Sequence, residues 1–87
     1  MTYAIEVLPS ALRQLQAIPK NDQSRLEDCI DRLAVNPRPV GAKVLRGSSK
    51  GHLRVRIGDY RIIYTVQDDV LLIVVVALGH RREVYER

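Results

Sequence analysis

Between positions 52 and 57 the chain alternates without a break: Leu53, Val55 and Ile57 are apolar, while His52, Arg54 and Arg56 can carry positive charge. Period-two alternation predicts a strand with one buried face and one wet face. Gly58-Asp59 then predicts a tight hairpin, because glycine accepts the positive φ that primed turns need. A second run, rich in Ile, Val, Tyr and Thr, spans Tyr60 to Gln67. Asp68-Asp69 marks another reversal, and Val70 to Leu78 is apolar throughout. A continuous apolar run of strand length predicts an interior strand covered on both sides.

The two-residue loop fixes a register. Ile57 faces Tyr60, Arg56 faces Arg61, Val55 faces Ile62 and Arg54 faces Ile63. Opposed residues share a face and faces alternate along a strand. One face therefore carries Leu53, Val55, Ile57, Tyr60, Ile62 and Tyr64. The other carries His52, Arg54, Arg56, Arg61, Ile63 and Thr65. An odd-length loop would flip one strand against its partner. Like charges directly opposed, such as Arg56 and Arg61, disfavour the pair unless an anion sits between them, so the pattern points to a phosphate site.

The first half of the chain reads as one strand and two helices. Tyr3, Ile5 and Val7 alternate with Ala4 and Glu6 and predict the first strand. Pro9 suits a first helical turn and Ser10 can cap it. Leu12, Leu15 and Ile18 then fall at helical spacing, and Pro19 ends the helix. Asn21 or Asp22 can cap a second helix, in which Leu26, Cys29, Ile30 and Leu33 form an apolar stripe opposite Arg25, Glu27, Asp28, Asp31 and Arg32. The helices are expected near residues 10–18 and 22–35, antiparallel to each other. Asn36-Pro37-Arg38-Pro39 stops the second one. The stretch to Gly51 predicts a loop with a short extended piece around Lys43 to Leu45, and Lys43, Arg46 and Lys50 make it basic. The order is β-α-α-β-β-β, an α+β domain over residues 1–87 with the helical hairpin on one face of a four-stranded, mainly antiparallel sheet.

Composition narrows the picture. With 87 residues, 46% hydrophobic and 28% charged, the chain matches one small soluble domain. A net charge of +4 is compatible with ordinary solubility or with a polyanionic partner. The single cysteine excludes an intrachain disulfide and a multi-cysteine metal site, which fits a reducing cytoplasm. Cys29 lies in the apolar stripe and reads as a core residue. No signal-peptide pattern opens the chain, and no apolar run approaches the roughly 18–20 residues of a membrane helix.

The element order, Leu45-Arg46-Gly47 near the middle, Gly58-Asp59-Tyr60-Arg61-Ile62-Ile63-Tyr64, and Gly79-His80-Arg81-Arg82-Glu83-Val84-Tyr85 together resemble the RelE/ParE superfamily of bacterial toxins over nearly the whole chain. The resemblance implies a toxin of a type II toxin–antitoxin module. RelE-like members are ribosome-dependent endoribonucleases that cut mRNA in the ribosomal A site. The 2′-hydroxyl attacks the adjacent phosphate without a metal or other cofactor. ParE-like members share the fold and inhibit DNA gyrase by binding. The implied partners are a RelB-like antitoxin, the ribosome with its rRNA, and mRNA, in the cytoplasm and without a membrane.

Metal-free transphosphorylation needs a base, cations for the charge that builds on phosphorus, and a donor to the leaving oxygen. The resemblance assigns charge stabilisation to Arg61 and Arg81, whose guanidinium forks match phosphate oxygens. Tyr85 matches the family's C-terminal tyrosine, for base stacking or proton transfer. His52, Arg54, Arg56, His80, Lys43 and Arg46 are the expected RNA-binding set. The family's nucleases often have lysine where this chain has His52 and Arg54. Arginine stays protonated, so the base is open among His52, His80 and Tyr85. With the sequence ending at Arg87, no long C-terminal helix is expected to mask the site. Tyr3, Tyr60 and Tyr64 read as core, and Arg56 and Arg82 read equally well as surface charge.

Overall fold

In a computed structural model, described for residues 2–45 and 51–80, two helices pack on one side of a five-stranded mixed sheet, an α+β fold. The elements are β1 (Ala4–Val7), α1 (Pro9–Gln16), α2 (Lys20–Val35), β2 (Lys43–Val44), β3 (Leu53–Ile57), β4 (Tyr60–Gln67) and β5 (Leu72–His80). The sheet order is β1-β5-β4-β3-β2. Among the described residues, β1 runs parallel to its neighbour, β5, and the other pairs are antiparallel. Five strands, not four, form the sheet, because the extended piece at Lys43–Val44 pairs with Arg54 and Leu53.

The hairpin register is the one the sequence predicts, with Arg56 opposite Arg61 and Ile57 opposite Tyr60. Gly58 has φ +58° and Asp59 does not enter the positive region, so glycine sits first in the turn, as a type II′ hairpin requires. Leu53, Val55, Ile62 and Tyr64 bury under the helices together with Ile73, Val75 and Leu78. β5 is an interior strand as expected but starts later than Val70. Val70 is exposed and Leu71 turns the chain at φ 51°.

The helix starts differ from expectation. Pro9 itself opens α1 and Pro19 precedes α2, so neither Ser10 nor Asn21 nor Asp22 caps a helix with its side chain. Proline has its φ preset for a first turn and no N–H to satisfy, which moves each start toward the proline. Asp22 instead lies in the first turn of α2, where a carboxylate favours the helix dipole, and accepts a 2.8 Å hydrogen bond from the Tyr60 hydroxyl. The buried stripe of α1 is Ala11, Leu15 and Ile18, while Leu12 is 43% exposed. That of α2 is Leu26, Cys29, Ile30, Leu33 and Ala34. Between the helices, the Gln23 amide donates to the carbonyls of Ile18 (2.7 Å) and Gln16 (3.3 Å), which the end of α1 leaves open.

Two clasps hold the proline segment on the sheet. The fully buried Tyr64 donates from its hydroxyl to the Pro37 carbonyl at 2.7 Å. Arg38 pairs with Asp68 through two hydrogen bonds of 2.8 and 3.3 Å, and the Tyr3 hydroxyl donates to the same carboxylate. With the segment fixed at both points, the chain enters β2 beside β3.

Candidate functional site

The helix-free face of the sheet collects the basic side chains. Arg54 and Arg56 alternate with buried Leu53 and Val55, so both point away from the helices. Arg61, opposite Arg56, shares their face, and Lys43, opposite Arg54, extends the row onto β2. Arg54 and Arg61 are half-buried, while Arg56 is exposed. On β5 the residue opposite Arg61 is Gly79, which has no side chain. Four of the acids, Asp22, Glu27, Asp28 and Asp31, lie on α2, in the opposite layer. Glu6, between core-packed Ile5 and Val7, shares the helix-free face but only on β1, with β5 between it and the strand of Arg61, so the part of the face on β2, β3 and β4 presents a positive field to an anion.

A bulge shapes the same face. Ile63 pairs with Ala77 and Tyr64 with Val75, so Val76 is an extra residue in β5. A bulge places two residues of one strand against one of its partner. Val76 and Ala77 consequently both pack with Leu45 and Ile63 in a second, small apolar cluster on the helix-free side. The Leu45 amide donates to the His52 carbonyl at 2.9 Å, which ties the end of β2 to the start of β3. His52 itself borders a groove of about 380 Å³ with Leu8, Thr65, Gln67, Val74 and Val76.

Not every expected residue joins this set. His80 pairs with Tyr60 across the sheet, on the helix side, with the rings edge to face at 6.0 Å. There it borders a separate cleft of about 280 Å³ with Gln14, Pro19 and Leu78. Arg46, Lys50, Arg81, Arg82 and Tyr85 lie outside the described residues. The sequence reading passed over Thr65, Gln67 and Gly79. Thr65 was on the right face by alternation, but the groove beside it is lined by residues distant in sequence, Leu8, His52, Val74 and Val76.

Three tyrosines are poor candidates for a base. The hydrogen bond to Asp22, then burial, raises Tyr60 above its ordinary value, and the bond to Asp68 does the same for Tyr3. Burial pushes Tyr64 up to about 12. Each phenol is held protonated. Burial likewise raises the Cys29 thiol, which fits an inert core residue. Among the described residues, no cluster of three or more His, Cys, Asp or Glu side chains is placed to hold a metal, and no helix is long and apolar enough to cross a membrane.

A family model described as the ParE toxin of the type II toxin–antitoxin system parDE matches residues 5–85. Toxin RelG of Mycobacterium tuberculosis is 30% identical over 88 residues, covering 100% of both chains. A RelE-like toxin protein of Escherichia coli is 32% identical over 82 residues, 93% of this chain and 85% of that protein. A chain of the archaeal RelE–RelB complex from Pyrococcus horikoshii superposes with a TM-score of 0.81 at 30% identity, over 97% of this chain and 100% of that one. The chain belongs to the RelE/ParE family of toxins from type II toxin–antitoxin systems.

Proposed function

We propose that this toxin is a ribosome-dependent endoribonuclease that cuts mRNA in the A site by attack of a 2′-hydroxyl on the adjacent phosphate. The observation that carries the reading is the opposition of Arg56 and Arg61, flanked by Arg54 and Lys43, on the helix-free face. Directly opposed arginines disfavour a strand pair in the absence of an anion between them. A bridging phosphate turns that repulsion into binding.

The reaction converts a monoanionic diester into a dianionic five-coordinate centre. A guanidinium placed at the developing charge therefore stabilises the transition state more than the ground state. Arg61 has this role, with Arg81 as its second cation and Tyr85 as the stacking or proton-transferring ring. His52, Arg54, Arg56, Lys43 and Arg46 hold the strand and the surrounding rRNA. His80 would join them only from the Tyr60 edge, at the other side of the sheet. The reaction asks for no metal or cofactor. The site works in the cytoplasm, where a RelB-like antitoxin with carboxylates facing the arginines holds it inactive between uses.

Primer extension on translated mRNA after induction tests this, with Arg61→Ala and Arg81→Ala as controls. Cuts inside codons that vanish in both variants are expected. A toxic wild type that leaves mRNA intact and stalls gyrase would replace this reading with the ParE-like one, which the name of the matching family model favours.

A further inference from the structure

We infer that the groove between β3, β4 and β5 on the helix-free face is a nucleobase subsite that sets where along the RNA the toxin cuts. The inference rests on the nuclease reading and deepens it. The groove, about 380 Å³, lies on the same face as the arginine row and is bordered by Leu8, His52, Thr65, Gln67, Val74 and Val76. Val74 and Val76 give it an apolar floor. Val76 follows Val74 at period two along β5, with core-facing Val75 between them, so both lie on the helix-free side. Thr65 and Gln67 follow each other at period two along β4, so both project into the groove from one wall.

The lining chemistry suits a flat, unpaired base. An apolar floor accepts the face of the ring, as single-stranded RNA recognition requires. The Gln67 amide presents a donor and an acceptor side by side, and the Thr65 hydroxyl does either, so together they can read a base edge. Among the groove side chains only His52 can become charged, so a phosphate is better served by the arginines next to it. The strand would thus lie with its backbone on Arg54, Arg56 and Arg61 and one base turned into the groove.

Position along the RNA follows from the strand. Thr65 is four residues beyond Arg61 on β4, or about 13 Å at roughly 3.3 Å per residue. A stacked nucleotide step spans about 3.4 Å per strand, and even a strand stretched to about twice that needs two steps to cover the gap. The base read here therefore belongs to a nucleotide beyond those that flank the cut phosphate.

Two measurements test this. The first maps cut ends across translated mRNAs for wild type, Thr65→Val and Gln67→Ala, each profile normalised to its total cuts. Base preference at one position, displaced from the cut by two or more nucleotides, should fall at least threefold in both variants. Superimposable profiles would overturn the inference while leaving the nuclease reading intact. The second needs no activity. In an NMR titration with a short single-stranded RNA, the Thr65 and Gln67 signals should shift, and an oligonucleotide abasic at the displaced position should remove those shifts while the arginine-row shifts persist. Equal shifts with both oligonucleotides would overturn it. So would variants that lose antitoxin binding but keep the wild-type cut profile, which would make the groove a protein-docking surface.

Discussion

Replacing Tyr64 by phenylalanine should remove a defined part of the pH dependence of this toxin's stability. Tyr64 is 0% exposed, its hydroxyl donates to the Pro37 carbonyl at 2.7 Å, and burial raises its pKa from 10.0 to about 12. A pKa raised in the folded state means that the protonated phenol is the form the fold prefers. Its contribution is fully present below the unfolded value near 10 and is lost as pH rises through the folded value near 12. A two-unit shift corresponds to about 2.7 kcal/mol in all. At pH 11, midway, the wild type has lost about half of that, about 1.4 kcal/mol. Phenylalanine keeps the ring, does not titrate and lacks the hydrogen bond, a cost of about 0.5–1.5 kcal/mol relative to wild type while the Tyr64 phenol is protonated. Urea unfolding at pH 8 should therefore show the variant less stable by about 1 kcal/mol. At pH 11 the gap should close or reverse. Tyr3 and Tyr60 titrate in both proteins and cancel in the difference. A gap of equal size at the two pH values would refute the reasoning, because the buried phenol would then not be the group that titrates.

Arg61→Ala and Arg81→Ala should each slow single-turnover cleavage on programmed ribosomes by about 10²–10³, the usual cost of losing one preorganised donor. Ribosome binding should change little in either variant and fall steeply with salt, since it draws on diffuse charge from Lys43, Arg46, Lys50 and Arg56. In the same assay Tyr85→Phe separates roles: activity falls if the hydroxyl moves a proton and largely survives if the ring only stacks, whereas Tyr85→Ala loses it in both cases. Gly58→Ala should lower stability by about 1–2 kcal/mol in a thermal melt, because alanine is strained at φ +58°. The nearest atom to the new methyl, Arg25 Nη2 at 3.0 Å, ends a flexible side chain and can withdraw. The hydrogen bonds from Arg38, then from Tyr3, hold the Asp68 carboxyl below its ordinary value. Its stabilising effect is present above the unfolded carboxylate pKa of about 4 and is lost as pH falls through the depressed value. Acid unfolding followed by circular dichroism should therefore be shallower in Asp68→Asn.

The local pattern alone determined most of the architecture. Alternation around Gly58-Asp59 set which side chains of the hairpin face the helices and which meet solvent, because a strand has a period of two and a two-residue loop leaves one register. That was enough to put Arg54, Arg56 and Arg61 on one face away from the helices, as the cross-strand pairing of Arg56 with Arg61 bears out. The stripe of Leu26, Cys29, Ile30 and Leu33 was equally legible, since each of these residues points to the same side of a helix. Tertiary contacts decided the rest. The segment that leads into Lys43–Val44 is clasped at Pro37 by Tyr64 and at Arg38 by Asp68, 27 and 30 residues away in sequence. The bulge at Val76 is invisible in an unbroken apolar run, because no polar residue marks the change of face. His80 looked like a neighbour of the arginines by its place near them in the chain, yet cross-strand pairing with Tyr60 turns it to the helix side. Periodicity reports the face of a residue only while its strand keeps step with its neighbours, and the registry between strands distant in sequence is fixed by packing across the whole sheet.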